Sequence, residues 1–86
     1  MTIDEFGCEV WKNDDGKFHR EDGPAYVRSF VVKKWYINGE LHREGGPAVV
    51  WNSIYDDEYW LGGVNLTEEE YKKKERMLKI KKLRIE

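Results

Sequence analysis

Gly16-Lys17-Phe18-His19-Arg20-Glu21-Asp22-Gly23-Pro24-Ala25 is followed, at an offset of 23 residues, by Gly39-Glu40-Leu41-His42-Arg43-Glu44-Gly45-Gly46-Pro47-Ala48. Seven of the ten positions are identical, and only Lys17/Glu40, Phe18/Leu41 and Asp22/Gly45 differ. Self-similarity at a fixed period marks a chain built by stacking one supersecondary unit. The unit can be read from the residues on either side of the repeated text.

Upstream of the second copy, the aromatic and β-branched run Trp35-Tyr36-Ile37 leads straight into Asn38-Gly39. Asn-Gly is a strong two-residue hairpin signal, because both turn positions require a positive φ. In the first copy, Asp14-Asp15-Gly16 takes this place after Trp11, with one extra residue: the tryptophans are 24 apart and the glycines 23. Downstream, Pro24 and Pro47 each open an apolar run, PAYVRSFVV and PAVVW. Proline is tolerated at the first position of a strand, where a missing N–H costs least. Each copy therefore reads as a strand, a tight turn, a short strand or extended arm, a loop, and the next strand. Residues 24–30 and 32–37 pair only if the chain turns near Arg28-Ser29, which is a weak turn signal.

A worn third unit follows. Tyr59-Trp60-Leu61-Gly62-Gly63 repeats the aromatic strand and glycine turn, then the His-Arg and Gly-Pro-Ala text stops. Terminal units of a stack diverge in this way because they cap it. Thr67-Glu68-Glu69-Glu70 has the pattern of a capping box. It predicts a helix over about 67–84, acidic in its first turn and basic toward its end, as the macrodipole favours. Tyr71, Leu78 and Ile85, with Met77 beside them, form one apolar stripe, while Ile80 and Leu83 fall on another side. Residues 78–85 also alternate as a strand would. The expected fold is mainly β (α+β): an antiparallel sheet of tandem 23-residue hairpin repeats with one C-terminal helix, in a single domain. Its units span about 11–34, 35–57 and a degenerate 58–66.

Composition bounds the rest. Eighty-six residues, of which 37% are charged, leave a small core, and four Trp, five Tyr and three Phe are an area-dense way to fill it. No apolar run approaches the length of a membrane span, and the acidic start MTIDEFGCEV is not a signal sequence. The lone Cys8 excludes an internal disulfide, so a reducing, cytoplasmic setting is expected. The net charge of −2 is unevenly shared: residues 1–66 hold seven Lys/Arg against twelve Asp/Glu, and residues 67–86 hold eight against five.

The wording NGxxHRxxGPA, a final aromatic-glycine unit and a Thr-Glu-Glu-Glu helix resemble a MORN-like β-hairpin repeat found in short phage and viral proteins. The resemblance covers about residues 10–64. It implies a sheet of stacked hairpins, a non-enzymatic interaction role, and a viral origin with a host target. His-Arg-Glu replaces the usual MORN glycine spacing, so membrane-lipid roles do not carry over.

Four side chains in the duplicated text exceed what a turn obviously needs: His19, Arg20, His42 and Arg43. Two guanidinium forks beside glycine loops fit capture of a small anion such as a nucleotide. The alternative is that they maintain the repeat, the histidines bonding turn backbone and the arginines pairing with Glu21 and Glu44 or lying on aromatic rings. Trp35, Tyr36, Trp51 and Trp60 are the interface candidates, since a single sheet with one helix covers only one face. The basic tail Lys72, Lys73, Lys74, Arg76, Lys79, Lys81, Lys82 and Arg84 suits nucleic-acid phosphates, a second copy's acidic body, or plain solvation.

No catalytic motif is present, and two His with one Cys do not supply a zinc site. The expectation is a cytoplasmic binding module without cofactor, with a protein partner. A homodimer and a nucleic-acid partner are the further possibilities.

Overall fold

The computed structural model describes residues 1–53 and 55–83, with side chains inside the helix described through residue 79. The chain runs β1 (Thr2–Ile3), β2 (Glu9–Val10), β3 (Tyr26–Arg28), β4 (Val32–Lys34), β5 (Tyr36–Ile37), β6 (Glu40–Leu41), β7 (Val49–Trp51), β8 (Tyr59–Leu61), β9 (Val64–Leu66) and α1 (Glu68–Leu83). It is antiparallel β with one C-terminal helix, as the sequence leads one to expect.

The turn hairpins are separate two-stranded ribbons, β5–β6 and β8–β9, while the larger sheet has the order β1-β2-β3-β4-β7. That sheet gathers the runs that follow Gly-Pro-Ala. Ala25 and Ala48 are fully buried, and their N–H groups donate to the carbonyls of Lys34 and Glu58 at 2.9 and 2.8 Å. β3 and β4 do pair, with Tyr26 opposite Lys34 and Arg28 opposite Val32. Their turn is closed by Val31 N–H donating to Arg28 C=O at 3.0 Å, and Phe30 takes the left-handed conformation, φ 62°.

Each ribbon is tied to the unit before it. Gly39 N–H donates to Phe18 C=O, and Gly63 N–H to Leu41 C=O. The Asn38-Gly39 turn has φ of 49° and 82°, as a two-residue primed turn demands. In the first turn Gly16 N–H donates instead to Asn13 C=O within the turn itself. Asn13 Oδ1 accepts from Asp15 N–H and Lys17 N–H. Asn13 Nδ2 also donates to Asn38 Oδ1 of the next turn at 3.0 Å.

Register divides the sheet into two faces. Val10, Tyr26, Lys34 and Val49 share one face with Val32 and Trp51. Val10, Val32 and Val49 are buried there, and Phe18 lies on this side, edge-on to Tyr26 at 6.1 Å and against Tyr36 at 5.1 Å. The opposite face carries a row of one residue per strand: Ile3, Glu9, Val27, Lys33 and Val50. Ile3 is 57% exposed.

The capping box forms as expected. Glu70 N–H donates to Thr67 Oγ1, and Thr67 N–H donates to Glu70 Oε1. That pair of bonds holds the Glu70 carboxyl below its usual range. The helix continues through Leu83, so Leu78–Leu83 is not a strand. It packs on β8 and β9. Tyr71 is the buried residue of the predicted stripe, Leu78 is half-buried, Met77 faces out, and Ile85 lies outside the described residues.

Candidate functional site

The two His-Arg loops repeat in three dimensions. The Arg20 guanidinium lies 4.1 Å from the Trp11 ring and that of Arg43 lies 3.9 Å from the Trp35 ring. Each also donates from an Nη to the proline carbonyl four residues on, Arg20 to Pro24 at 3.3 Å and Arg43 to Pro47 at 3.0 Å. The loop glycines follow from this. A Cβ at Gly23 would come within 2.9 Å of Arg20 Cζ, and one at Gly46 within 2.9 Å of Arg43 Cζ. Tryptophan, arginine, glycine and proline thus recur as one interlocked set.

The histidines join one unit to the next. His19 Nδ1 accepts from Asn38 N–H at 3.0 Å, and His42 Nδ1 accepts from Gly62 N–H at 2.8 Å. Their Nε2 atoms face Glu21 at 3.6 Å and Glu44 at 3.2 Å. Arg20, His42 and Arg43 line one open hollow of about 830 Å³, together with Glu21, Asp22 and Glu44; His19 does not line it. Three carboxylates border that space, and the Arg20 hydrogen bond and charge keep the Asp22 carboxyl ionised, below its usual range.

The Asp22/Gly45 difference has a structural counterpart. In the first loop Asp22 Oδ1 accepts from Arg20 Nε at 2.9 Å. In the second loop Gly45 adopts φ 102° and the helix supplies the polar partners. Tyr71 O–H donates to Arg43 C=O at 2.6 Å, and its oxygen accepts from Gly45 N–H and Gly46 N–H at 2.9 and 3.1 Å. Gly45 N–H also reaches Glu75 Oε2 at 2.6 Å. Burial is the main cause that pushes the Tyr71 phenol above its usual pKa, opposed by the Gly46 N–H.

The aromatic candidates are all half-buried. Trp35 carries Arg43, and Tyr36 packs on Phe18. Trp51 and Trp60 each donate an indole N–H to Glu58, at 3.1 Å. Of the four, Trp51 borders the most exposed apolar feature, the β3–β4 tip. There Phe30 is 90% exposed and Val31 37%; between β7 and β8, Tyr55, whose ring lies 5.5 Å from Trp51, is 66% exposed. Asn52 braces the tip, its N–H donating to Val31 C=O and its side-chain amide to Phe30 C=O. A concavity of about 460 Å³ opens behind it, lined by Val27, Phe30, Val50 and Trp51 among others.

On the helix, Lys72 and Lys79 form i,i+4 ion pairs with Glu68 and Glu75. Lys73, Lys74 and Arg76 are exposed; the side chains of Lys81 and Lys82, and Arg84 altogether, lie outside the described residues. Cys8 is buried, with the Tyr26 O–H donating to its sulfur. Among the described residues no group of three metal-ligating side chains is gathered, and no helix is long and apolar enough to cross a membrane.

Sequence reasoning passed over Phe30, because an aromatic in a run of valines reads as core. It also passed over the Tyr71–Glu75 clamp, whose one visible signal was Gly45 standing where the first copy has Asp22. Comparison with known protein families, characterised proteins and solved structures returns no match.

Proposed function

We propose that this chain is a non-enzymatic binding module that engages a protein partner through the β3–β4 tip. The observation that carries this reading is Phe30. Phe30 is 90% exposed in a left-handed conformation, its carbonyl held by the Asn52 side-chain amide and the carbonyl of its exposed neighbour Val31 by the Asn52 N–H. Exposed apolar clusters on small proteins mark contact surfaces, and aromatic anchors carry a large share of interface energy. The resemblance to viral hairpin-repeat proteins extends the reading to an inhibitor that occupies the surface of a host defence protein.

Anion capture by the His-Arg loops has less support. The guanidinium groups already bond their own loops and lie on tryptophans, and carboxylates border the hollow between them. The test is a photo-crosslinking residue placed at position 30 and, separately, at the solvent-facing position 14. A protein captured from host lysate at 30 but not at 14, and competed away by the wild-type chain but not by Phe30→Ser, is the expected result. Equal capture at both positions, or competition that survives Phe30→Ser, would overturn it.

A further inference from the structure

We propose that the open face of the five-stranded sheet is a two-fold interface with a second copy of this chain. The row Ile3, Glu9, Val27, Lys33, Val50 places one residue from each strand on that face. Its chemistry reads apolar, acid, apolar, base, apolar, with Val27 on the central strand. The ion pairs among the described residues use neither Glu9 nor Lys33, so neither charge is committed to another described residue.

A homodimer interface presents the same patch from both copies, and it must be complementary to itself. A two-fold axis running along β3 reverses the strand order between the facing sheets. Val27 then meets Val27, Ile3 meets Val50, and Glu9 of each copy meets Lys33 of the other. Moving the axis half a strand spacing, to lie between β3 and β4, sets Val27 on Lys33 and Glu9 on Val50, which desolvates both charges without a partner. The row therefore selects one register. Sheets stacked this way keep their strands aligned at the usual spacing of about 10 Å.

Area limits the strength. Five strands about 4.8 Å apart, each two or three residues long, give a face of roughly 200 Å² per copy, against about 800 Å² in a standard interface. The dimer is accordingly weak and reversible, populated only at high concentration. The inference does not rest on the reading of the β3–β4 tip, although Val27, Lys33 and Val50 of the row also line the concavity behind Phe30.

Sedimentation equilibrium of the full chain, from tens of micromolar to millimolar, tests it. The weight-average mass is expected to climb from 10.3 kDa toward twice that value. Glu9→Lys alone and Lys33→Glu alone each set like charges face to face and abolish the climb. The double swap restores it, and so does an equimolar mixture of the two single variants. Among the described residues neither charge has an ion-pair partner, so far-ultraviolet circular dichroism of the variants should match wild type. A wild-type chain that stays at monomer mass at millimolar concentration overturns the proposal. So does association indifferent to the single swaps, or association lost in them and recovered in neither the double variant nor the mixture.

Discussion

One methyl group at position 46 probes the interlock of tryptophan, arginine, glycine and proline. In Gly46→Ala the new Cβ sits 2.9 Å from Arg43 Cζ, closer than folded Cβ atoms approach, and 3.0 Å from an Nη, which is tight. The guanidinium is the far end of a flexible side chain, so it moves away and the clash itself is relieved. What is lost is its place, 3.9 Å over Trp35 and 3.0 Å from Pro47 C=O. A half-buried cation–π contact contributes about 1 kcal/mol, and a hydrogen bond from a charged donor about 1.5 kcal/mol at the exposed end of its range. The expected cost is therefore roughly 2–3 kcal/mol, which in a domain of this size lowers Tm by about 10–20 °C.

The assay is thermal and urea unfolding followed by tryptophan fluorescence, run as a cycle with Arg43→Ala. Arg43→Ala loses the same contacts, and with the guanidinium gone the alanine at 46 meets no obstacle. The double variant should thus be about as stable as Arg43→Ala, leaving a coupling energy of about 2 kcal/mol. Losses that add within about 0.5 kcal/mol, as for independent sites, would refute the interlock. Gly23→Ala should behave alike but more mildly, because Arg20 is held at 4.1 and 3.3 Å.

Other outcomes follow from the same contacts. Tyr71→Phe removes the hydroxyl that bridges Arg43 C=O to the Gly45 and Gly46 N–H groups, so hydrogen exchange across 68–79 should accelerate while the β3–β4 amides keep their protection. Because the folded Tyr71 pKa is raised above 10.0, its contribution is complete below pH 10 and lost as pH rises through the folded value; an alkaline transition unchanged in Tyr71→Phe would contradict this. The Glu70 carboxyl is lowered from 4.5, so the capping box contributes above that pH and is lost as pH falls through the lower folded value. Glu70→Gln keeps an acceptor that does not titrate, and its helical ellipticity should vary less between pH 5 and 2. Both imidazoles accept at Nδ1, which requires the neutral Nε2–H tautomer. Long-range proton–nitrogen correlation spectra at pH 8 should show it for His19 and His42, and an Nδ1–H signal at either would break the described link between units.

Local chemistry carried far. The Asn38-Gly39 turn, the Gly62-Gly63 turn and the Thr67–Glu70 capping box depend on the φ preferences and donors of a few consecutive residues. They are legible because no distant atom need be known. The repeated text likewise marked two loops whose tryptophan, arginine and proline contacts match. What the His-Arg pairs do was not decided locally, since the partners of His19 and His42 are turn amides 19 and 20 residues away.

The amino-acid sequence by itself determined the glycine turns, where the helix begins, and which two stretches share their text, while Gly45 at φ 102° marks where the shared text parts in conformation. Tertiary structure alone decided that β7 lies beside β4, that the ribbons stand apart from the sheet, and which of two valine rows is buried. Those choices turn on which apolar face finds cover. Phe18 closes over Tyr26 on one side of the sheet, the helix is drawn to β8, β9 and the Arg43–Gly46 loop instead, and Val27 and Val50 on the other face stay half-buried, with exposed Phe30 at its end. Burial is a property of surfaces brought together from separate segments, and no stretch of residues contains it.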